Sequence, residues 1–210
     1  MKLVIFGASG QTGRLLVEEA LVKGHQVVAY VRRVDSVTMK NPNLKLIVAG
    51  LDDEVKLREA VTGADACFST LGGNSLTQSS LWFTEAIDRI AGIMEQEGVS
   101  RFIYLSSIGA GESRYFMGPL MRFMICNLIL KVPLAEHSAN EERLLKSNLK
   151  WTLVRPGSLT NGAKTAKFKH GSDFIKLKGN VKISRADVAA FMIGQASDTR
   201  YLKKGVWLYD

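Results

Sequence analysis

The chain has 210 residues, enough for one domain with a sizeable core and short for two; with 46% hydrophobic and 23% charged residues it excludes a disordered or low-complexity protein. A formal charge of +8 raises nucleic-acid binding, but the 28 Lys and Arg are scattered, with no stripe interleaved with aromatics. A basic protein that holds a polyanionic small ligand accounts for the charge better, and no nucleic-acid partner is expected.

Cys67 and Cys126 sit in apolar runs with no Cys-x-x-Cys pair or His cluster near them, which predicts buried free thiols, a reducing (cytoplasmic) setting and no metal site. The apolar start, Met1 to Phe6, stops too soon for a signal-peptide core.

In chain order, Lys2 to Phe6 is a short, nearly all-apolar run ending in Gly7, as expected of a strand buried on both faces. A turn follows, Gly7-Ala8-Ser9-Gly10-Gln11-Thr12-Gly13, and then Arg14 to Lys23 with helical apolar spacing and Gly24 as its stop. His25 to Val31 and Leu44 to Val48 are β-branched runs, and a polar helix is expected from about Asp53 to Val61. Ala64 to Leu71 reads as a fourth strand. Phe83, Ile87, Ile90 and Met94 mark a long helix, and Arg101 to Leu105 a fifth strand.

This alternation predicts an α/β fold, a doubly wound parallel sheet of the Rossmann type occupying 1–210 as one domain. Beyond Ser107 the pattern loosens into a hydrophobic stretch at 115–132. A helix is expected from about Ala135 to Lys146, a strand at Trp151 to Val154, and short strands around 164–178. A helix from Arg185 to about Gln195 and a last strand near Val206 complete the chain. Substrate-region elements are expected mainly within 108–134 and 157–182.

A strand, a turn with Gly7, Gly10 and Gly13, and a helix place backbone N–H groups, at Ser9, Gln11 and Thr12 among others, where a pyrophosphate can sit at a helix N-terminus. The first glycine allows the tight turn, the second lets phosphate approach, and the third lets helix pack on strand. An ordinary tight βα turn is the bland alternative, disfavoured because the pattern lies directly between a buried strand and an amphipathic helix. At the end of the second strand the chain reads Tyr30-Val31-Arg32-Arg33, with no acid before Asp35. Two cations where a ribose-binding acid would stand favour the 2′-phosphate of NADP(H) over NAD(H), although a solvated pair at a loop mouth would look the same.

These motifs resemble the atypical short-chain dehydrogenase/reductases, with the NmrA-like proteins and the biliverdin reductase B/flavin reductase group nearest. Leu71-Gly72-Gly73, Leu105-Ser106-Ser107, Val154-Arg155-Pro156-Gly157 and Ile183-Ser184-Arg185-Ala186-Asp187-Val188-Ala189 follow in the family's order. The resemblance implies a Rossmann domain with a small C-terminal substrate region and NAD(P)H-dependent reductase activity. By that likeness Gly50, Leu51, Leu71, Gly72, Gly73, Ser106 and Pro156 join the cofactor-binding set. One departure is that members commonly have Gly-Asp after the third strand, near the adenine, whereas Gly50-Leu51 stands here, with Asp52 one place later.

Typical members activate a Tyr by a Lys four residues on, but Tyr104 meets Ile108, Tyr115 meets Pro119 and Tyr201 meets Gly205. Alcohol or epimerase chemistry loses support. Reduction of a flavin, quinone or similar conjugated acceptor asks only that two rings be stacked and oriented, since solvent can deliver the proton. Ser107 and His137 are the candidate catalytic residues, Ser107 as a hydrogen-bond donor that could equally be a turn cap, His137 by likeness to the reductase group. Glu141, one turn on, is either an orienting partner of His137 or part of a surface ion pair. The alternatives are a non-catalytic NADP(H)-binding regulator and an epimerase or dehydratase that retains its cofactor. Within 115–132, Gly118-Pro119, Arg122 and Asn127 argue against a membrane span; a lid helix, a homodimer contact and a plain core helix all remain open.

Overall fold

The computed structural model describes residues 1–73, 75–79, 81–179 and 181–210; Asn74, Ser80 and Asn180, which fall inside the expected single domain, lie outside the described residues. Its strands are Lys2–Phe6 (β1), Gln26–Val31 (β2), Leu44–Val48 (β3), Ala66–Ser69 (β4), Arg101–Leu105 (β5) and Lys150–Pro156 (β6). Ser158–Thr160 (β7), Lys169–Gly171 (β8), Lys182–Ser184 (β9) and Lys204–Tyr209 (β10) follow. The helices are Gln11–Val22 (α1), Glu54–Val61 (α2), Leu81–Gln96 (α3), Pro119–Met124 (α4), Lys131–Lys146 (α5) and Arg185–Gly194 (α6).

Eight strands form one sheet in the order β3-β2-β1-β4-β5-β6-β10-β8, while β7 and β9 pair separately. All neighbours in the large sheet are parallel except β8 against β10. The expected doubly wound sheet is therefore present, with one antiparallel edge strand.

The near-continuous apolar strands are explained by burial on both faces. On β1, Leu3 and Ile5 point into a core shared with α1 and α6, whereas Val4 and Phe6 point into a core shared with α2, α3 and α5. Each such fully buried side chain contributes roughly 1.5–3 kcal/mol, so the two layers dominate the stability. α6 starts where Ser184 accepts from the Asp187 N–H. The Asp187 carboxylate in turn accepts from the Thr165 and Ala166 N–H groups. The 183–189 motif is thus a helix cap that also ties down the preceding loop.

The sequence reading fails most in the 108–134 and 164–178 regions. The 115–132 stretch is not one helix: it comprises a 3-10 turn at Gly111–Phe116, α4, and a π-helical turn at Ile125–Ile129 leading into α5. Gly118 and Pro119 break the helical pattern before it can extend. α5 begins at Lys131, four residues earlier than expected, with Pro133 tolerated in its first turn. Within 164–178 only Lys169–Gly171 is a strand.

Candidate functional site

The direction of strand order reverses between β1 and β4, and the carboxyl ends of these two strands frame a crevice. On the β1 side the chain turns sharply: Gly7 has φ +80 and the Gly10 N–H donates to the Gly7 carbonyl at 3.0 Å. A Cβ at Gly7 would lie 2.9 Å from Thr70 backbone and side-chain atoms, and one at Gly13 would overlap the Gly7 carbonyl. Both positions are closed to any larger residue, because α1 and β4 approach the turn directly. Gly10 is looser, its nearest neighbour to an added Cβ being the Gly7 oxygen at 3.3 Å.

No side chain caps the N-terminus of α1, and the Arg14 N–H is the first to bond back into the helix, to Gly10. The Gln11, Thr12 and Gly13 N–H groups, together with the positive end of the helix dipole, suit a phosphate. The residues present therefore fit a dinucleotide.

A cavity of about 720 Å³ opens from this turn. It brings together many of the expected residues: Gly10, Gln11, Thr12, Leu71, Gly72, Gly73, Ser106, Ser107, His137 and Pro156. Its far wall is apolar, built from Met117, Met121, Ile125, Leu130 and Leu134, so one face of the 115–132 stretch lines a chamber.

The other expected residues stand apart from this cavity. Gly7 and Gly13 form the base of the turn, and Ser9 is partly exposed beside it. Gly50 accepts the Tyr30 hydroxyl on its carbonyl at 2.6 Å, and Leu51 packs on the α2 and α3 side of the core. Arg32 and Arg33 are exposed beyond β2, and Arg33 makes only a loose 4.0 Å approach to Asp35. A second hollow of about 400 Å³ near this end is lined by Arg14, Ser36 and Thr38, and Arg14 donates to the Ser36 carbonyl at 3.2 Å. Arg14 is a cation that sequence reasoning passed over.

β5 organises the polar chemistry through the two-residue alternation of a strand. Tyr104 faces α5, and Ser106, just past the strand, faces the same way. The Tyr104 hydroxyl lies 2.8 Å from His137 Nδ1 and accepts from the Asn140 amide at 3.2 Å. Burial holds the Tyr104 proton on, well above the usual phenol range. Tyr104, His137 and Asn140 thus form one hydrogen-bonded group at the cavity wall. Burial between Phe83 and Tyr104 pulls the His137 pKa down to about 4.

Glu141 corrects both expectations made for it. It neither orients His137 nor lies at the surface: it is buried, accepts from Ser106 Oγ at 2.6 Å and is paired in two places with Arg155 at 2.8 Å. Glu112 completes the cluster on the outer side of Arg155. Ser107 Oγ donates to the Ile108 carbonyl at 3.1 Å, the local turn bond that was its bland reading, and it also borders the cavity.

Sequence reasoning missed Thr70, Tyr104, Asn140, Glu112 and the role of Arg155. The signal for one group was the shared face of His137, Asn140 and Glu141 on α5 opposite Tyr104 and Ser106. Thr70, whose Oγ1 donates toward the Phe6 and Gly7 carbonyls, carried no signal of its own.

A family model described as NAD(P)H-binding matches residues 7–199. Among curated relatives, a chloroplastic protein of Arabidopsis thaliana is 26% identical over 174 residues, 78% of this chain; the chain spans 61% of that protein's length. The protein YhfK of Bacillus subtilis, described as an uncharacterized sugar epimerase, is 26% identical over 206 residues, covering 94% of this chain and 89% of its own. Among solved structures, ChuY, an anaerobilin reductase from Escherichia coli O157:H7, is 25% identical with a TM-score of 0.80, covering 100% of this chain and 97% of its own. With the glycine turn, the switch-point crevice and the missing Tyr-x-x-x-Lys pair, the match places this chain in the NAD(P)H-binding family, as a Rossmann-fold oxidoreductase of the atypical short-chain dehydrogenase/reductase kind.

Proposed function

We propose that the protein is an NADPH-dependent reductase of a flavin, quinone or similar conjugated acceptor, acting in the cytoplasm, where its two free thiols would stay reduced. The observation that carries this reading is the single cavity running from the phosphate-binding turn to an apolar chamber with room for a planar ring. A bound nicotinamide would supply a hydride, that is two electrons and one proton, so that with one solvent proton a quinone would leave as quinol and NADPH as NADP⁺.

In this reading the protein's own residues do the positioning. Gly10, Gln11 and Thr12 hold the pyrophosphate, and Arg32 and Arg33 meet the 2′-phosphate. Leu71, Gly72, Gly73, Ser106 and Pro156 border the cofactor strip, while Gly50 and Leu51 flank the adenine end. Ser107 and His137 sit where an acceptor would lie. A neutral His137 can hydrogen-bond an acceptor through its second ring nitrogen, and at neutral pH it is a poor source of a full proton, so its role is to orient. The buried Glu141–Arg155 pair fixes Ser106 through its hydroxyl.

The test is to mix the purified protein with NADPH and FMN or a short-chain quinone and follow the loss of NADPH absorbance. Tight NADPH binding with no turnover of any conjugated acceptor would replace this reading with that of a cofactor-binding regulator.

A further inference from the structure

The two segments that wall the chamber are apolar on their outer sides as well. Within 115–130, Met117, Met121 and Ile125 point to the cavity, whereas Leu120, Phe123 and Leu128 face outward, 75%, 55% and 64% exposed. Ile129 is exposed beside them. The 174–178 strip joins this surface. The Leu177 N–H donates to the Phe116 carbonyl at 2.8 Å, and Phe174, 68% exposed, meets the Phe116 ring edge-on at 5.4 Å. Outward apolar side chains in this number are unusual for a face that only meets water.

The charge around them is mostly positive, with the acids Glu112 and Asp173 at its margins. From Ser113 to Ala135 the sequence holds Arg114, Arg122 and Lys131 and no acid, and from Phe174 to Ala186 it holds Lys176, Lys178, Lys182 and Arg185 and no acid. The Arg114 and Arg122 guanidinium groups lie 5.7 and 5.1 Å from the centre of the exposed Tyr115 ring. Apolar side chains set among cations, with an aromatic ring at the boundary, match the chemistry of an anionic bilayer surface. A second copy fits less well, since a two-fold contact would bring these cations against their own counterparts.

We propose that this face docks the protein peripherally on an anionic membrane, with the apolar chamber opening behind it to a lipid-soluble acceptor such as a long-chain quinone. The docking stands on the surface alone; delivery of the acceptor rests on the reductase reading above. No helix among the described residues is long and apolar enough to cross a membrane, so the contact would be interfacial.

The test is co-sedimentation of the full chain with vesicles of phosphatidylcholine mixed with phosphatidylglycerol, against phosphatidylcholine alone. Binding at least about tenfold stronger to the mixed vesicles is expected, falling as salt rises. Leu120→Ser combined with Leu128→Ser, neither of which borders the cavity, is expected to lose most of that binding while keeping its melting temperature and NADPH affinity. Lys176→Gln with Lys178→Gln provides a second variant that leaves the apolar surface intact, and weaker binding to the mixed vesicles is expected.

Equal binding to both vesicle types, or unchanged binding by both variants, would overturn the docking. So would a stable dimer in sedimentation equilibrium that dissociates in the Leu120/Leu128 variant. Turnover of a short-chain quinone without vesicles tests the reductase reading separately. Vesicle binding without turnover supports the docking and sinks the delivery.

Discussion

The Tyr104 hydroxyl and His137 Nδ1 lie 2.8 Å apart, a strand residue holding the ring of a helix residue at the cavity wall. A net hydrogen bond of this kind is worth roughly 1 kcal/mol, about a fivefold effect. Tyr104→Phe is therefore expected to raise KM for the acceptor several-fold, with little change in NADPH affinity. A change confined to NADPH binding would place His137 outside the acceptor site.

His137 also gives a pH signature. Its folded pKa of about 4 lies below its ordinary value of 6.5, so the unfolded chain binds the proton more readily. Its contribution to stability is fully present above pH 6.5 and is lost as pH falls toward 4. Denaturant unfolding across this range should show the decline, and His137→Gln should flatten it. Over pH 6 to 8 the reductase rate should show no inflection from this group.

The glycine turn predicts two different failures. Gly13→Ala drives a methyl into the Gly7 carbonyl, so both melting temperature and NADPH affinity should drop. Gly10→Ala meets only one 3.3 Å neighbour, so the fold should survive while phosphate loses its close approach to the backbone. Fluorescence titration alongside thermal melting separates these outcomes; equal melting losses in the two variants would contradict the geometry.

Arg32→Ala with Arg33→Ala is expected to weaken NADPH by about 10- to 100-fold, a combined loss of roughly 1.5–3 kcal/mol for charge-assisted contacts made by exposed side chains. NADH binding should change little. Equal losses for the two cofactors would remove the 2′-phosphate assignment.

Arg155→Ala strands the buried Glu141 carboxylate, and breaking a buried pair costs about 3–5 kcal/mol, a fall in Tm of roughly 10 °C for a chain of this size. Glu112 sits at the exposed side of the same guanidinium, so Glu112→Ala should cost no more than about 1 kcal/mol. Thermal denaturation compares the two, and similar losses would mean that the inner pair is not the one that matters.

The sequence by itself determined the sheet, the glycine turn and the absence of a Tyr–Lys pair. These are local matters: a nearly all-apolar run of five residues, a fixed spacing of glycines and the lack of a Lys four places after a Tyr are written in nearby residues. β3 and β5 match the sequence reading end to end because turn residues bound each run. What lay between distant residues was not legible. Glu141 shows no sign in sequence of pairing with Arg155, fourteen positions on, because the pairing depends on how the chain brings a side chain of α5 to one of β6. The 115–132 stretch reads as largely apolar, and only its folding around Gly118 and Pro119 decided which side chains enter the chamber and which face outward. Periodicity assigns faces within one regular element, and this segment changes its helical geometry three times.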